Sequence, residues 1–194
     1  MLSEIKKISS LLLSVAFSSI GFIASITVTV LAAREVSSNP LFVGFPNAVG
    51  VGGAVLGTRM IYLISKNNSQ LNALAFTFLI GAFGGAIMFY SLIVDSFVLL
   101  LFGAFILGIG QSATLQTRYA ASFVASEKFK ATALSLAVWF SVFGSVFGPR
   151  MVGSYSNFFE NIFNSELIVG YVIALVGCYL QHLLYLYLPQ KKVS

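Results

Sequence analysis

Residues 67–94, NNSQLNALAFTFLIGAFGGAIMFYSLIV, run for 28 positions without an aspartate, glutamate, lysine or arginine. A helix rising 1.5 Å per residue needs roughly 20 apolar residues to cross a hydrocarbon core about 30 Å thick. Five further uncharged runs of sufficient length flank this one: Ile8–Ala33, Val36–Thr58, Ser96–Thr117, Ala131–Pro149 and Leu167–Gln190. The second opens on polar residues (Ser37, Ser38, Asn39, Pro40), and the fifth continues past Arg150 towards Gly153. The sequence therefore predicts an all-α integral membrane protein. Its six transmembrane helices fall at 8–33, 41–65, 70–94, 96–118, 130–153 and 167–189. A transmembrane β-barrel would instead show segments of about ten residues with alternating polarity.

The remaining composition agrees. Of 194 residues, 58% are hydrophobic and 9% charged, against about 25% charged in a typical soluble chain. One cysteine excludes a disulfide framework or a multi-thiolate metal site. One histidine and six scattered acids leave no metal centre, no cofactor site and little basis for enzymatic catalysis. No Gly-x-Ser-Gly, paired Asn-Pro-Ala, P-loop or dinucleotide fingerprint is present. The first hydrophobic run exceeds the 7–15 residues of a cleavable signal peptide, and Lys6 and Lys7 precede it as in a signal anchor.

Positive charge orients the bundle. With the N-terminus inside, Lys6, Lys7, Arg59, Lys66, Arg118, Lys128, Lys130, Lys191 and Lys192 fall on the cytoplasmic side, and only Arg34 and Arg150 outside. Basic residues in short loops favour the cytoplasm, so a multi-pass cell-membrane protein with both termini cytoplasmic is expected. The net charge of +5 is then a topology signal and calls for no nucleic acid.

Helices 2 and 5 are rich in small residues: Gly50, Gly52, Gly53 and Gly57 in one, Ala133, Ala137, Ser141, Gly144 and Gly148 in the other. Small residues let helices approach closely in lipid. Their matching places in successive three-helix groups fit a 3+3 repeat. The connection 118–130 reads as cytoplasmic extensions of helices 4 and 5. The segment Ser154–Glu166, with Phe158, Phe159 and Phe163, reads as a short interfacial helix on the outer face.

Several polar residues are candidates for a solute path. Helix 1 carries Ser14, Ser18, Gly21, Ser25 and Thr29 on one stripe, which either lines a cavity or returns hydrogen bonds to its own turns. Gln111, Thr114 and Arg118 share a face of helix 4. A buried glutamine wants a partner or water, whereas Arg118 can face solute or snorkel to the headgroups. Arg150, after Gly148-Pro149, can pair with an acid such as Asp95, serve an anionic solute or reach the interface. His182, beside Gln181 and Tyr185, is either a proton relay or an interhelical hydrogen-bonding group.

The stretch Gly108–Gly153 resembles the helix 4–loop–helix 5 region of major facilitator superfamily (MFS) transporters. Arg118-Tyr119-Ala120-Ala121 and the alanine-rich start of helix 5 are similar to the pattern of some prokaryotic members. Gly144-x-x-x-Gly148-Pro149-x-x-x-Gly153 resembles the family's helix 5 motif, common in exporters and antiporters. Gly108-x-Gly110 is similar to its helix 4 glycines, although Ala104 stands where an arginine often lies. The helix 2–3 signature, Gly-x-x-x-Asp-Arg-x-Gly-Arg-Arg, is replaced by GTRMIYLISKNN, with Tyr62 and Leu63 at the Asp-Arg place. The likeness covers the amino-terminal six-helix half alone, where the family has two halves with the pathway between them. It implies alternating-access transport of a small solute, with helices 1 and 4 facing the cavity. It also implies a homo-oligomer or a second six-helix half as partner. The rival expectation is a membrane scaffold or truncated remnant that regulates a full transporter without transporting.

Overall fold

The computed structural model describes residues 2–37, 39–124, 129–163 and 165–187. Lys128, Lys191 and Lys192, and part of the 118–130 connection, lie outside them. The chain forms α1 (Leu2–Val36), a 3-10 turn (Pro40–Phe42), α2 (Phe45–Asn67), α3 (Gln70–Ile93), α4 (Phe97–Val124), α5 (Lys130–Phe163) and α6 (Ile168–Tyr187). All six α-helices contain a stretch long and apolar enough to cross a membrane. This is a multi-pass membrane protein.

Local chemistry sets the helix ends. Asn39 accepts a hydrogen bond from the Leu41 amide at 3.0 Å, and Pro46 opens α2 where a missing amide costs nothing. Ser69 caps α3 by accepting from the Asn72 amide at 3.2 Å. Asp95 ends α3 in the left-handed region at φ 49°, and the Ser96 amide closes back onto the Ser91 carbonyl at 3.0 Å.

The helix 2–3 segment GTRMIYLISKNN is helical almost to its end, and α2 and α3 are joined only by Asn68 and Ser69. The end of α5 differs from the sequence expectation. The expected separate helix at 154–166 is instead the end of α5, which continues through Pro149 to Phe163. The reason is packing. Phe159 and Phe163, one turn apart, stack at 6.2 Å, and Phe163 meets Phe89 of α3 edge-on at 5.4 Å. At 34 residues, α5 spans about 50 Å and outruns the bilayer.

The helix pairing has an internal symmetry. α2 packs on α4 as α5 packs on α1, α3 packs on α4 as α6 packs on α1, and α3 and α6 pack on each other. Exchanging the first three helices for the last three maps this pattern onto itself, as a 3+3 repeat requires. Glycines make the approaches. A β-carbon on Gly53 would fall on the Phe105 carbonyl, and one on Gly108 on the Gly50 carbonyl, so the α2 and α4 backbones touch. A β-carbon on Gly144 would lie 2.5 Å from the Ser19 β-carbon of α1. α2 and α5 thus meet the bundle along a small-residue stripe and leave most of their apolar surface bare, with Val55 67% and Trp139 70% exposed.

Four of the described acids gather at one end of the bundle, together with Arg34 and Arg150, and more of the described cations lie at the other. Glu35, Asp95, Glu160 and Glu166 lie where α1, α3, α5 and α6 meet one set of connections. Arg59, Lys66, Arg118 and Lys130 lie towards the other, here termed the basic end.

Candidate solute-facing site

α1, α2 and α4 converge on a cavity of about 190 Å³. Phe22, Ser25 and Ile26 contribute from α1, Asn47 and Gly50 from α2, Gly108 and Gln111 from α4. Gly108 lets α2 approach closely, which brings Asn47 to the same cavity as Gln111. Neither carboxamide hydrogen-bonds to a protein group among the described residues. Two half-buried amides with spare donors and acceptors in an apolar setting are equipped to bind a polar solute or water. The volume is below the roughly 300–1,000 Å³ of a complete small-molecule site.

The α1 stripe is placed differently. Ser18, Ser25 and Thr29 are all buried. Ser18 donates to the Val15 carbonyl at 3.1 Å, Ser25 to Phe22 at 2.7 Å and Thr29 to Ser25 at 2.7 Å. Thr29 also accepts from the Tyr171 hydroxyl at 3.4 Å. Gly21, on the same stripe, lies against Ala174 of α6. The stripe therefore packs on α6 and satisfies itself, and Ser25 alone of the three also reaches the cavity wall.

Towards the basic end, a buried network joins three helices. The Ser14 hydroxyl donates to Gln181 Oε1, and Gln181 Nε2 donates back to the Ser14 carbonyl at 2.8 Å. The Tyr185 hydroxyl lies 3.2 Å from Ser14 Oγ and donates to Thr117 Oγ1 at 3.0 Å. Its ring stacks on Phe78 of α3 at 5.7 Å. His182 donates from Nδ1 to the Ala75 carbonyl of α3 at 2.9 Å, which is the interhelical role.

Thr114 and Arg118 behave otherwise. Thr114 is buried and Arg118 half-buried, yet Thr114 Oγ1 and Arg118 Nε have no hydrogen-bond partner. Arg150 and Asp95 are both exposed. No ion pair joins them among the described residues, and Asp95 has acidic Glu35 as an electrostatic neighbour. The helix 5 motif is not uniform: Gly144 and Gly148 press on α1, whereas a β-carbon on Gly153 would meet nothing within 4 Å. Among the described residues, no group of three or more His, Cys, Asp or Glu could hold a metal ion.

Sequence reasoning missed Asn47 and the Ser14–Gln181–Tyr185–Thr117 network. An asparagine inside an uncharged run was a signal for the first. For the second, only the polarity of Gln181 and Tyr185 in helix 6 hinted at it.

Much of this sequence is similar to parts of longer known proteins. YddS of Bacillus subtilis (strain 168), an uncharacterized MFS-type transporter, is 32% identical over 157 residues, or 81% of this chain. YdeG of the same organism, likewise an uncharacterized MFS-type transporter, is 30% identical over 162 residues, or 84% of this chain. The chain is homologous to MFS-type transporters. It spans only 36% and 38% of the length of those two relatives. No family model matches the chain, and no solved structure does.

Proposed function

We propose that these helices form one six-helix half of an alternating-access transporter for a small solute, with α1 and α4 facing the path. The basic end then faces the cytoplasm, with both termini on that side of the cell membrane, because basic residues favour the cytoplasmic face. A second six-helix bundle completes the conduit, supplied by another copy, by a separate chain or by the remainder of a longer one. The observation that carries this reading is the state of α2 and α5. Each is held by a stripe of small residues and leaves a broad apolar face uncovered, in a chain spanning well under half of its transporter relatives. The cavity at Gln111 supports it, since an unpartnered carboxamide in an apolar wall suits a polar cargo.

Reconstitution into liposomes with the second bundle, followed by uptake of a panel of labelled solutes, tests the proposal. Flux above empty vesicles is expected for at least one solute. Gln111→Ala is expected to slow that flux roughly tenfold, the loss of about one hydrogen bond to a polar solute. Flux indistinguishable from empty vesicles across the panel would favour the scaffold reading.

A further inference from the structure

We propose that the basic end of α4 holds an oxyanion-binding subsite, made by the Arg118 guanidinium and the Thr114 hydroxyl, with the Gln111 carboxamide one turn deeper. The three residues stand at i, i+3 and i+7, on successive turns of one helix face spanning about 10 Å.

Thr114 is the first observation. Most buried serine and threonine hydroxyls described in this bundle spend their proton on their own helix, as Ser25, Thr29, Thr77, Ser112 and Thr117 do on carbonyls three or four residues back. Thr114 is 4% exposed and makes no such bond. An unpaired hydroxyl deep in a helical bundle costs free energy, so its proton is available for a ligand. Ser19 is also unpaired, but it is sealed beneath α5 at Gly144 and has no cation on its face.

Arg118 is the second. Snorkelling would carry its donors to water, yet its Nε is buried without an acceptor, and no ion pair satisfies it among the described residues. The edge bearing Nε presents two parallel N–H groups, which match two oxygens of a carboxylate or phosphate. The field favours an anion as well. Arg59, Lys66 and Lys130 lie towards the same end, while Glu35, Asp95, Glu160 and Glu166 lie at the other.

The ligand chemistry is an oxyanion, either a soluble phosphate or carboxylate or the headgroup of an anionic lipid. If soluble, it names the class of cargo, and that step rests on the transport reading above. The binding itself does not.

The full chain, embedded in phosphatidylcholine nanodiscs, is titrated with inorganic phosphate against chloride at matched ionic strength, and the unfolding midpoint is followed. Phosphate is expected to raise the midpoint saturably in the wild type and not in R118Q. R118K is expected to keep a weakened response, a point charge without the planar fork. T114V is expected to bind roughly tenfold more weakly. Should R118Q fail to fold, R118K and T114V carry the test, each compared with its own midpoint without phosphate. Adding phosphatidylglycerol to the disc separates the sources: loss of the phosphate response assigns the subsite to the headgroup, and its persistence assigns it to a soluble anion. No phosphate-dependent rise, or an equal rise in all three variants, overturns the subsite. That failure is separable from the transport reading, because flux and its sensitivity to Gln111→Ala are measured without reference to phosphate binding.

Discussion

Gly108→Ala is expected to unseat α2 from α4 and to destabilise the protein by about 3 kcal/mol, the upper range for overpacking a close contact. The added methyl would fall on the Gly50 carbonyl. A backbone group cannot rotate away as a side chain can, so the two helices must separate along their length. Burial of apolar surface does not drive association in lipid, where close packing carries much of it, and opening the contact forfeits dispersion along the whole α2–α4 seam. The loss should also empty the site, because the same contact brings Asn47 to the cavity that Gln111 lines. Gly52→Ala is the matched control, since nothing lies within 4 Å of its added carbon. It is expected to leave stability unchanged or to raise it slightly through helix propensity. Thermal unfolding of both variants in detergent, followed by helical circular dichroism, checks the pair. Equal midpoints would remove the close α2–α4 contact from the fold.

The second large effect lies in the buried network. Tyr185→Ala removes a fully buried ring stacked on Phe78 and a hydroxyl bridging Ser14 to Thr117. A loss of about 3–5 kcal/mol is expected, as for other buried aromatic truncations. Tyr185→Phe separates packing from polarity. Ser14 keeps Gln181, and Thr117 keeps the Ala113 carbonyl, so no partner is orphaned. The expected cost is then only about 1 kcal/mol, near the measured worth of hydrogen bonds between membrane helices. A Phe variant as damaged as the Ala variant would mean that the hydroxyl, not the ring, holds α4 and α6 together.

Much of this architecture is legible in the sequence because lipid imposes a simple demand. Each crossing must be long, uncharged and internally hydrogen-bonded, and six runs meet that demand without alternative. The small-residue stripes of helices 2 and 5 were legible as close-approach surfaces, and at Gly53, Gly57, Gly144 and Gly148 an added β-carbon would press on a neighbouring helix. What the sequence cannot show is how each helix is rotated about its axis. The hydroxyls of Ser18 and Thr29 read equally well as a cavity lining or as self-satisfied packing, and only the position of α6 decides for packing. Gln181 and Ser14 lie 167 positions apart, a pairing that no local pattern encodes. Asn47 reaches Gln111's cavity only because two glycines let α2 lie against α4. The extension of α5 past Gly153 was hidden because its anchor, Phe89, sits in another helix.

The uncovered faces of α2 and α5 allow the most direct experiment. A photo-cross-linking residue is placed at Val55 on α2, at Trp139 on α5 and, for comparison, at Phe83, an exposed position on α3. Each variant is irradiated in native membranes, and the adducts are identified by mass. If a second six-helix bundle covers α2 and α5, Val55 and Trp139 yield adducts to such a bundle while Phe83 yields lipid. Lipid adducts alone at all three positions would contradict the half-transporter reading.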